Sequence, residues 1–309
     1  MWAITSYFNP ARYKRRLQNY RTFRTKLAAP LVTMELSFDG NFELKDGDAD
    51  ILIQISGGAI VWQKERLLNL AIRSVPSDVD NIAWIDCDVI FERSDWPDEA
   101  EAQLDNFEVV QLFSELVDLK SEYGKNDVDY RDPVRRLSGL VSLINDRKIR
   151  HSDVGPLLQG GQRDATGFSM GIAWAARRKV LEGHGLYDAM IIGGGTRALI
   201  GTLYGQFQKI IEVFELNSAR QAHYLKWARP YYEAVGDRVG HVPGRIYHLW
   251  HGDRANRKIL ERHHMLAGFD FAPDADLTIG ANGAWQWARS RPDLEQLMTS
   301  YFDSRAEDG

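Results

Sequence analysis

The chain has 309 residues, 44% apolar and 26% charged, enough to bury the core of one large α/β domain. A formal net charge of −5 excludes a global basic field of the kind that draws nucleic acid, and the single Cys87 excludes an internal disulfide and fits a reducing compartment. No apolar run approaches the roughly 20 residues a membrane helix needs. Trp2-Ala3-Ile4-Thr5 already reads as a strand rather than a secretory leader, so a cytoplasmic location with no membrane partner is expected.

Residues 2–6 are the first predicted strand. Asn9-Pro10 predicts a helix start, with Asn9 as cap and Pro10 at the first helical position. Tyr13, Leu17, Tyr20 and Leu27 recur at helical spacing and carry that helix to about Lys26. Its Arg and Lys side chains are unaccompanied by any acid. Strands follow at Pro30–Leu36 and Asp50–Ser56; Gly57-Gly58 breaks the second, and Gln63–Arg73 predicts a helix. Ile82 to Phe91, an apolar run interrupted by Asp86-Cys87-Asp88, reads as a buried parallel strand. A helix near Pro97–Leu104 and a strand at Phe107–Phe113 complete an alternation over residues 1–113. That alternation predicts a doubly wound sheet whose ligands sit beyond the carboxyl ends of the strands. Residues 114–166 are charged and show one helical patch, Pro133–Ile144, before Gly160-Gly161; they predict an irregular insertion or lid. From 167 to 309 apolar character resumes at Gly167–Ala176, and a helix starts at Arg177-Arg178-Lys179. Gly193-Gly194-Gly195 precedes predicted helices at Thr196–Gln208 and Ser218–Ala234, strands at Val239–Val242 and Ile246–Trp250, and helices at Asp253–Leu266 and Pro292–Phe302. One domain across 1–309 is expected.

Four groups of residues carry chemistry. Asp86 and Asp88, at i and i+2, leave a strand on one face and can converge on a divalent cation if the strand ends there; a strand end with solvated acids has the same sequence. His248 and His251 suit Mn or Zn beside carboxylates, but on a straight strand they face opposite ways, so only one joins Asp88 unless the chain bends near Gly252. The three glycines 193–195 permit close approach of a ligand or simply a turn, and they match no phosphate-loop spacing. Lys64 or Arg66 at a helix start reaches a phosphate or lies on a solvated face, and His263-His264 reads as a solvated face.

In this order the pieces resemble glycosyltransferases of the GT-A fold: strand and Asn-Pro helix, Lys64 and Asn69 ahead of the Asp-x-Asp strand, a Gly-rich segment, a late His. Gly185-Leu186-Tyr187-Asp188 through Gly193-Gly194-Gly195, with His248-Leu249-Trp250-His251-Gly252-Asp253, most resembles the galactosyltransferase-like branch. The resemblance implies an α/β fold with a mostly parallel central sheet flanked by helices, an insertion and a helical C-terminal part. It divides the chain into a nucleotide-binding half at 1–113 and an acceptor and metal half at 167–309. It also implies a UDP-sugar donor and a Mn or Mg ion on the diphosphate. Asp86 would contact the ribose or the metal, and Asp88, His251 and His248 the metal. Thr5, Ser6, Glu35, Lys64, Asn69, Gly194 and Gly195 would surround the nucleotide sugar.

One departure stands out. Where the family places an acid after the glycines, this chain has Thr196, whose hydroxyl cannot act as a base near neutral pH. Asp188 or another acid would then be the base, or the enzyme retains configuration, or activity has been lost. The run from His248 to Asp253 with Asn256, Arg257, Arg262, Trp285, Trp287 and Glu307 also resembles phage-type transferases acting on hydroxymethylated pyrimidines in DNA. That resemblance implies a modified-DNA acceptor in a bacterial or phage-infected cell. The helix 12–26, Arg177-Arg178-Lys179 and Arg254–Arg262 would meet phosphates. A glycan or protein acceptor, a nucleotide-sugar binder without turnover, and a metal phosphohydrolase are the alternatives. The last normally carries its Asp-x-Asp on the first strand.

Overall fold

The structure, a computed structural model, describes residues 1–121, 133–159 and 167–309. β1 (Trp2–Phe8), β2 (Leu31–Ser37), β3 (Ile51–Ser56) and β4 (Asn81–Ile85) run parallel in the order β3-β2-β1-β4. Successive residues enter opposite cores: Ile4, Ile82 and Trp84 one, Ala3, Ala83 and Ile85 the other. Burial on both faces is why the inner strands β1, β2 and β4 are rich in apolar residues on both sides, whereas the edge strand β3 is only partly buried. α2 (Lys64–Ile72) covers the first face with Leu67, Leu68 and Ala71. On the second face α1 (Lys14–Lys26) supplies Phe23, and α3 (Trp96–Leu104) supplies Trp96, Ala100 and Leu104.

Beyond β4 the sheet continues through β10 (Ala173–Arg177), β6 (Val109–Gln111) and β11 (Val239–His241), giving the order β11-β6-β10-β4-β1-β2-β3. β10 is antiparallel to both neighbours, so the sheet is mixed, though mostly parallel. Trp174 lies opposite Trp84 in register, with ring centres 6.4 Å apart. A second sheet packs on the face that holds Ala3 and Ile85. It is ordered β5 (Val89–Phe91), β12 (Arg245–His248), β7 (Glu115–Asp118), β8 (Arg135–Gly139), β9 (Phe168–Ser169). Helices Gly195–Leu203, Phe207–Val213 and Ser218–Val235 close the first core.

Several expectations change. The run from Ile82 to Phe91 is two strands, because the chain leaves β4 at Ile85, turns through Asp86-Cys87-Asp88 and enters the other sheet as β5. The helix after β1 starts at Lys14, not Pro10. Asn9 instead bridges a turn, its Oδ1 accepting from Tyr13 N (2.9 Å) and its Nδ2 donating to Tyr13 O (2.9 Å). The segment expected to be irregular supplies β7, β8 and helices at Leu140–Asn145 and Val154–Leu158, while Gly160-Gly161 lies outside the described residues. Asp253–Leu266 divides into a short turn of helix at Arg254–Arg257 and a helix at Glu261–Ala267. Among the described residues no helix is long and apolar enough to cross a membrane.

The two ends of the sequence meet. Asp308 accepts from the backbone N–H of Lys14 (3.1 Å) and Arg15 (2.8 Å), capping α1 from 293 or more residues away, and Arg16 grips Glu307 (2.8 Å). Tyr13 Oη donates to Phe302 O and Asp303 O and accepts from Ala306 N (3.0 Å). This clasp carries Glu307, 1% exposed, into the interior.

Candidate functional site

The site forms where β4 hands the chain to the second sheet. Thr5 Oγ1 donates to Ile85 O (2.7 Å) and fixes the end of β4. In the turn that follows, the two acids separate. Asp86 is ion-paired with Lys64 from the first turn of α2, whereas Asp88 turns toward β12. Asp88 Oδ2 lies 3.2 Å from His251 Nε2 and 3.8 Å from His248 Nε2, and the two imidazole nitrogens are 3.2 Å apart. Both histidines reach this point because β12 ends at His248 and the chain folds back at Gly252. There φ is +85°, and a Cβ would stand 2.8 Å from Arg305 O.

A carboxylate backs each histidine. His248 Nδ1 is 2.7 Å from Asp118 Oδ1, and His251 Nδ1 is 3.7 Å from Glu307 Oε1. Arg135 holds Asp118 in turn; Arg16 and Arg305 hold Glu307 at 2.8 and 2.6 Å. A proton on Nδ1 facing a carboxylate leaves the Nε2 lone pair directed at Asp88. Burial, then the Arg257 guanidinium, hold the His251 pKa well below its ordinary value. Burial opposes ionisation of Asp118, yet His248 and Arg135 keep its carboxyl below the usual range.

These residues fit a divalent metal. Ligand bonds of about 2.1 Å put neighbouring donors roughly 3.0–3.4 Å apart in octahedral or tetrahedral sites, close to the 3.2 and 3.8 Å seen here. Asp88 Oδ1 is buried without a hydrogen-bond partner, an oxygen for which a cation would supply one. One carboxylate with two neutral imidazoles suits Mn or Zn.

The cluster opens on a cavity of about 310 Å³, which Ser6, Lys64, Asp86, Gly194, Gly195 and Thr196 also line. Eight Lys and Arg side chains against five carboxylates leave a surplus of three positive charges there, on a chain whose net charge is −5. Arg257 is one of the eight; its buried Nε has no hydrogen-bond partner, and burial, then Arg305, depress its pKa to about 10. Phe8 and Trp62 add aromatic surface, with Arg305 and Arg262 stationed 5.2 and 5.8 Å from the Trp62 ring centre.

Of the residues singled out in the sequence, Ser6, Lys64, Asp86, Asp88, Gly194, Gly195, Thr196, His248 and His251 therefore share one cavity. Thr5 is buried behind it. Glu35 accepts from Glu43 N and Gln54 Nε2, both at 2.7 Å, and lines a separate pocket at the ends of β1 and β2. Asn69 ties α2 to Leu186 (2.9 and 2.7 Å), and Asp188, held by Asn69 (3.1 Å) and Arg66 (3.3 Å), faces a different groove.

Sequence reasoning missed Asp118, Glu65 and His263, and quoted Glu307 without a role. His263, read as a solvated face, is 0% exposed and stacks on Phe214 with ring centres 3.9 Å apart; His264 is exposed. Glu65, in the first turn of α2, is 7% exposed, and burial pushes its pKa up to about 7. The glycine triplet is explained by these neighbours. A Cβ on Gly193 would meet Arg262 at 3.1 Å, one on Gly194 would meet His263 at 2.8 Å, and one on Gly195 would collide with the Glu65 carboxyl.

No family model matches the chain, and no curated protein matches it. Among solved structures it is similar to Staphylococcus aureus TarS 1–349, with 10% identity, 76% of this chain and 73% of that one covered, and a TM-score of 0.36. It is also similar to glucosyl-3-phosphoglycerate synthase of Mycobacterium tuberculosis, solved with Mn2+, UDP and glucosyl-3-phosphoglycerate (10% identity, 89% and 81% covered, TM-score 0.39). The catalytic domain of Drosophila β1,4-galactosyltransferase 7 with xylobiose gives 11% identity, 96% and 98% covered, and a TM-score of 0.36.

Proposed function

We propose that the chain is a metal-dependent glycosyltransferase that moves a sugar from a UDP-sugar to an acceptor hydroxyl. The observation that carries the reading is the Asp88–His248–His251 cluster, set at the carboxyl end of β4 in a cavity with a cation surplus. A Mn or Mg ion held there would neutralise the diphosphate as the sugar leaves. The chain's own contribution is a fixed field: Arg257, within electrostatic reach of Asp88 and Asp118, adds positive charge beside the cluster, and the Lys64–Asp86 pair and Ser6 line the same cavity. Phe8 and Trp62 offer flat faces to a base or a sugar.

The modified-DNA acceptor that the resemblance implies would draw on three basic segments for phosphate contacts, and several of their cations already have partners within the protein. Arg16 holds Glu307, Arg178 donates to Val75 O and Pro76 O, and Lys179 pairs with Glu108 (3.0 Å). This favours a glycan or protein hydroxyl over DNA. UDP release from a panel of UDP-sugars with Mn2+, with and without hydroxymethylated DNA, separates the two. Asp88→Ala is expected to abolish Mn-dependent UDP binding by calorimetry, because it removes the one carboxylate of the cluster. Unchanged metal-dependent binding by that variant would remove the reading.

A further inference from the structure

Five carboxylates line the cavity, and four are committed. Asp86 is paired with Lys64, and Asp88 belongs to the histidine cluster. Asp118 lies between His248 and Arg135, and Glu307 between Arg16 and Arg305. The fifth, Glu65, makes no ion pair among the described residues; its nearest cation, Lys64, is already spent on Asp86. Glu65 sits in the first turn of α2, 7% exposed, with its carboxyl against the backbone of Gly195 and beside Thr196. That is the neighbourhood in which the sequence lacks an acid.

We infer that Glu65 is the general base of the transfer, delivered from α2 to the place that Thr196 leaves without a carboxylate. The inference rests on the transferase reading above. The acceptor oxygen forms its bond to the anomeric carbon while its proton passes to the Glu65 carboxylate. The bond from the anomeric carbon to the diphosphate oxygen breaks, and its electron pair leaves with UDP. Glu65 then returns the proton to solvent. A single displacement of this kind inverts the anomeric centre. The groups facing Glu65 are Lys64 on its own helix, Asp86 from the β4–β5 turn and Asp188 from the 185–190 segment; burial with two acids nearby outweighs the one cation, so its pKa rises to about 7. A base poised there is half ionised near neutral pH, which suits proton abstraction.

The test uses the full chain with Mn2+, UDP and a panel of UDP-sugars, water being the acceptor when none other is supplied. Glu65→Gln is expected to bind UDP with Mn2+ as the wild type does and to lose about 10²–10⁴-fold in turnover. Its loss of the alkaline-rising limb near pH 7 in the rate profile is expected too. Glu65→Asp, which keeps the carboxylate, is expected to restore part of the rate, and the first sugar released from an α-linked donor should be the β anomer by NMR. Wild-type turnover by Glu65→Gln, or an α product, would overturn the base assignment and leave the transferase standing. A wild-type chain that binds UDP with Mn2+ yet hydrolyses no donor would also overturn it. Failure of the wild type to bind UDP with Mn2+ would remove the transferase reading itself.

Discussion

Glu65 and Asp118 show how the same carboxyl group takes opposite roles from its surroundings. Glu65 is buried beside a cation already taken, and its pKa rises to about 7 from 4.5. Between those values the unfolded chain has released the proton and the folded chain keeps it, so stability falls as pH rises through the window, by roughly 3 kcal/mol in all. Glu65→Gln has no proton to exchange and is expected to gain stability relative to wild type from pH 5 to pH 8. Thermal unfolding across that range checks it, and a gap independent of pH would show that the carboxyl ionises freely. Asp118 has the reverse task, orienting His248 through Nδ1. Asp118→Asn keeps the shape and loses the charge. It is expected to weaken Mn2+ binding about 10–100-fold by calorimetric titration, and unchanged affinity would show that Asp118 does not tune the ligand.

At the scale of elements, the glycine turn before helix Gly195–Leu203 is where α2 and helix Glu261–Ala267 meet the backbone. Gly194 has φ +105°, and a Cβ there would lie 2.8 Å from His263 and 2.9 Å from Phe214. Backbone strain and overpacking together put the cost of Gly194→Ala on the order of 2–5 kcal/mol. A chemical-denaturation midpoint equal to wild type would show that the turn relaxes instead. The sequence left these three glycines as a close approach for a ligand or simply a turn; in the structure Arg262, His263 and Glu65 pack against them, and Gly194 and Gly195 also line the cavity.

At the scale of the molecule, the cluster joins three distant parts of the chain. Asp88 links the two sheets, His248 ends a strand of the second sheet, and His251 is backed by Glu307 from the clasp that caps α1. Because these ligands come together only in the folded state, a bound ion stabilises it by mass action, about 2.7 kcal/mol at a hundredfold excess over Kd. For a chain of this size the expected rise in Tm with Mn2+ is about 5 °C, reversed by chelator and missing in Asp88→Ala. No rise in the wild type would show that the three ligands do not take the ion.

What was legible locally was what local periodicity encodes. The runs at 30–36, 50–56 and 82–91 read as strands, the last as a buried one; burial on both faces is what removes the alternation from 82–85. The acids that follow β4 read as a site at a carboxyl edge. Beyond that, only the tertiary structure decided. Asp86 and Asp88 part company because the chain changes sheets between them, which no i, i+2 rule contains. His248 and His251 meet because Gly252 turns the chain back against residues 305–307. Asp118 lay in a charged stretch with no period to mark it as a strand, and Glu65, His263 and Glu307 are buried by elements distant in sequence. A polar residue's burial depends on what packs over it, and that is a property of the assembled chain.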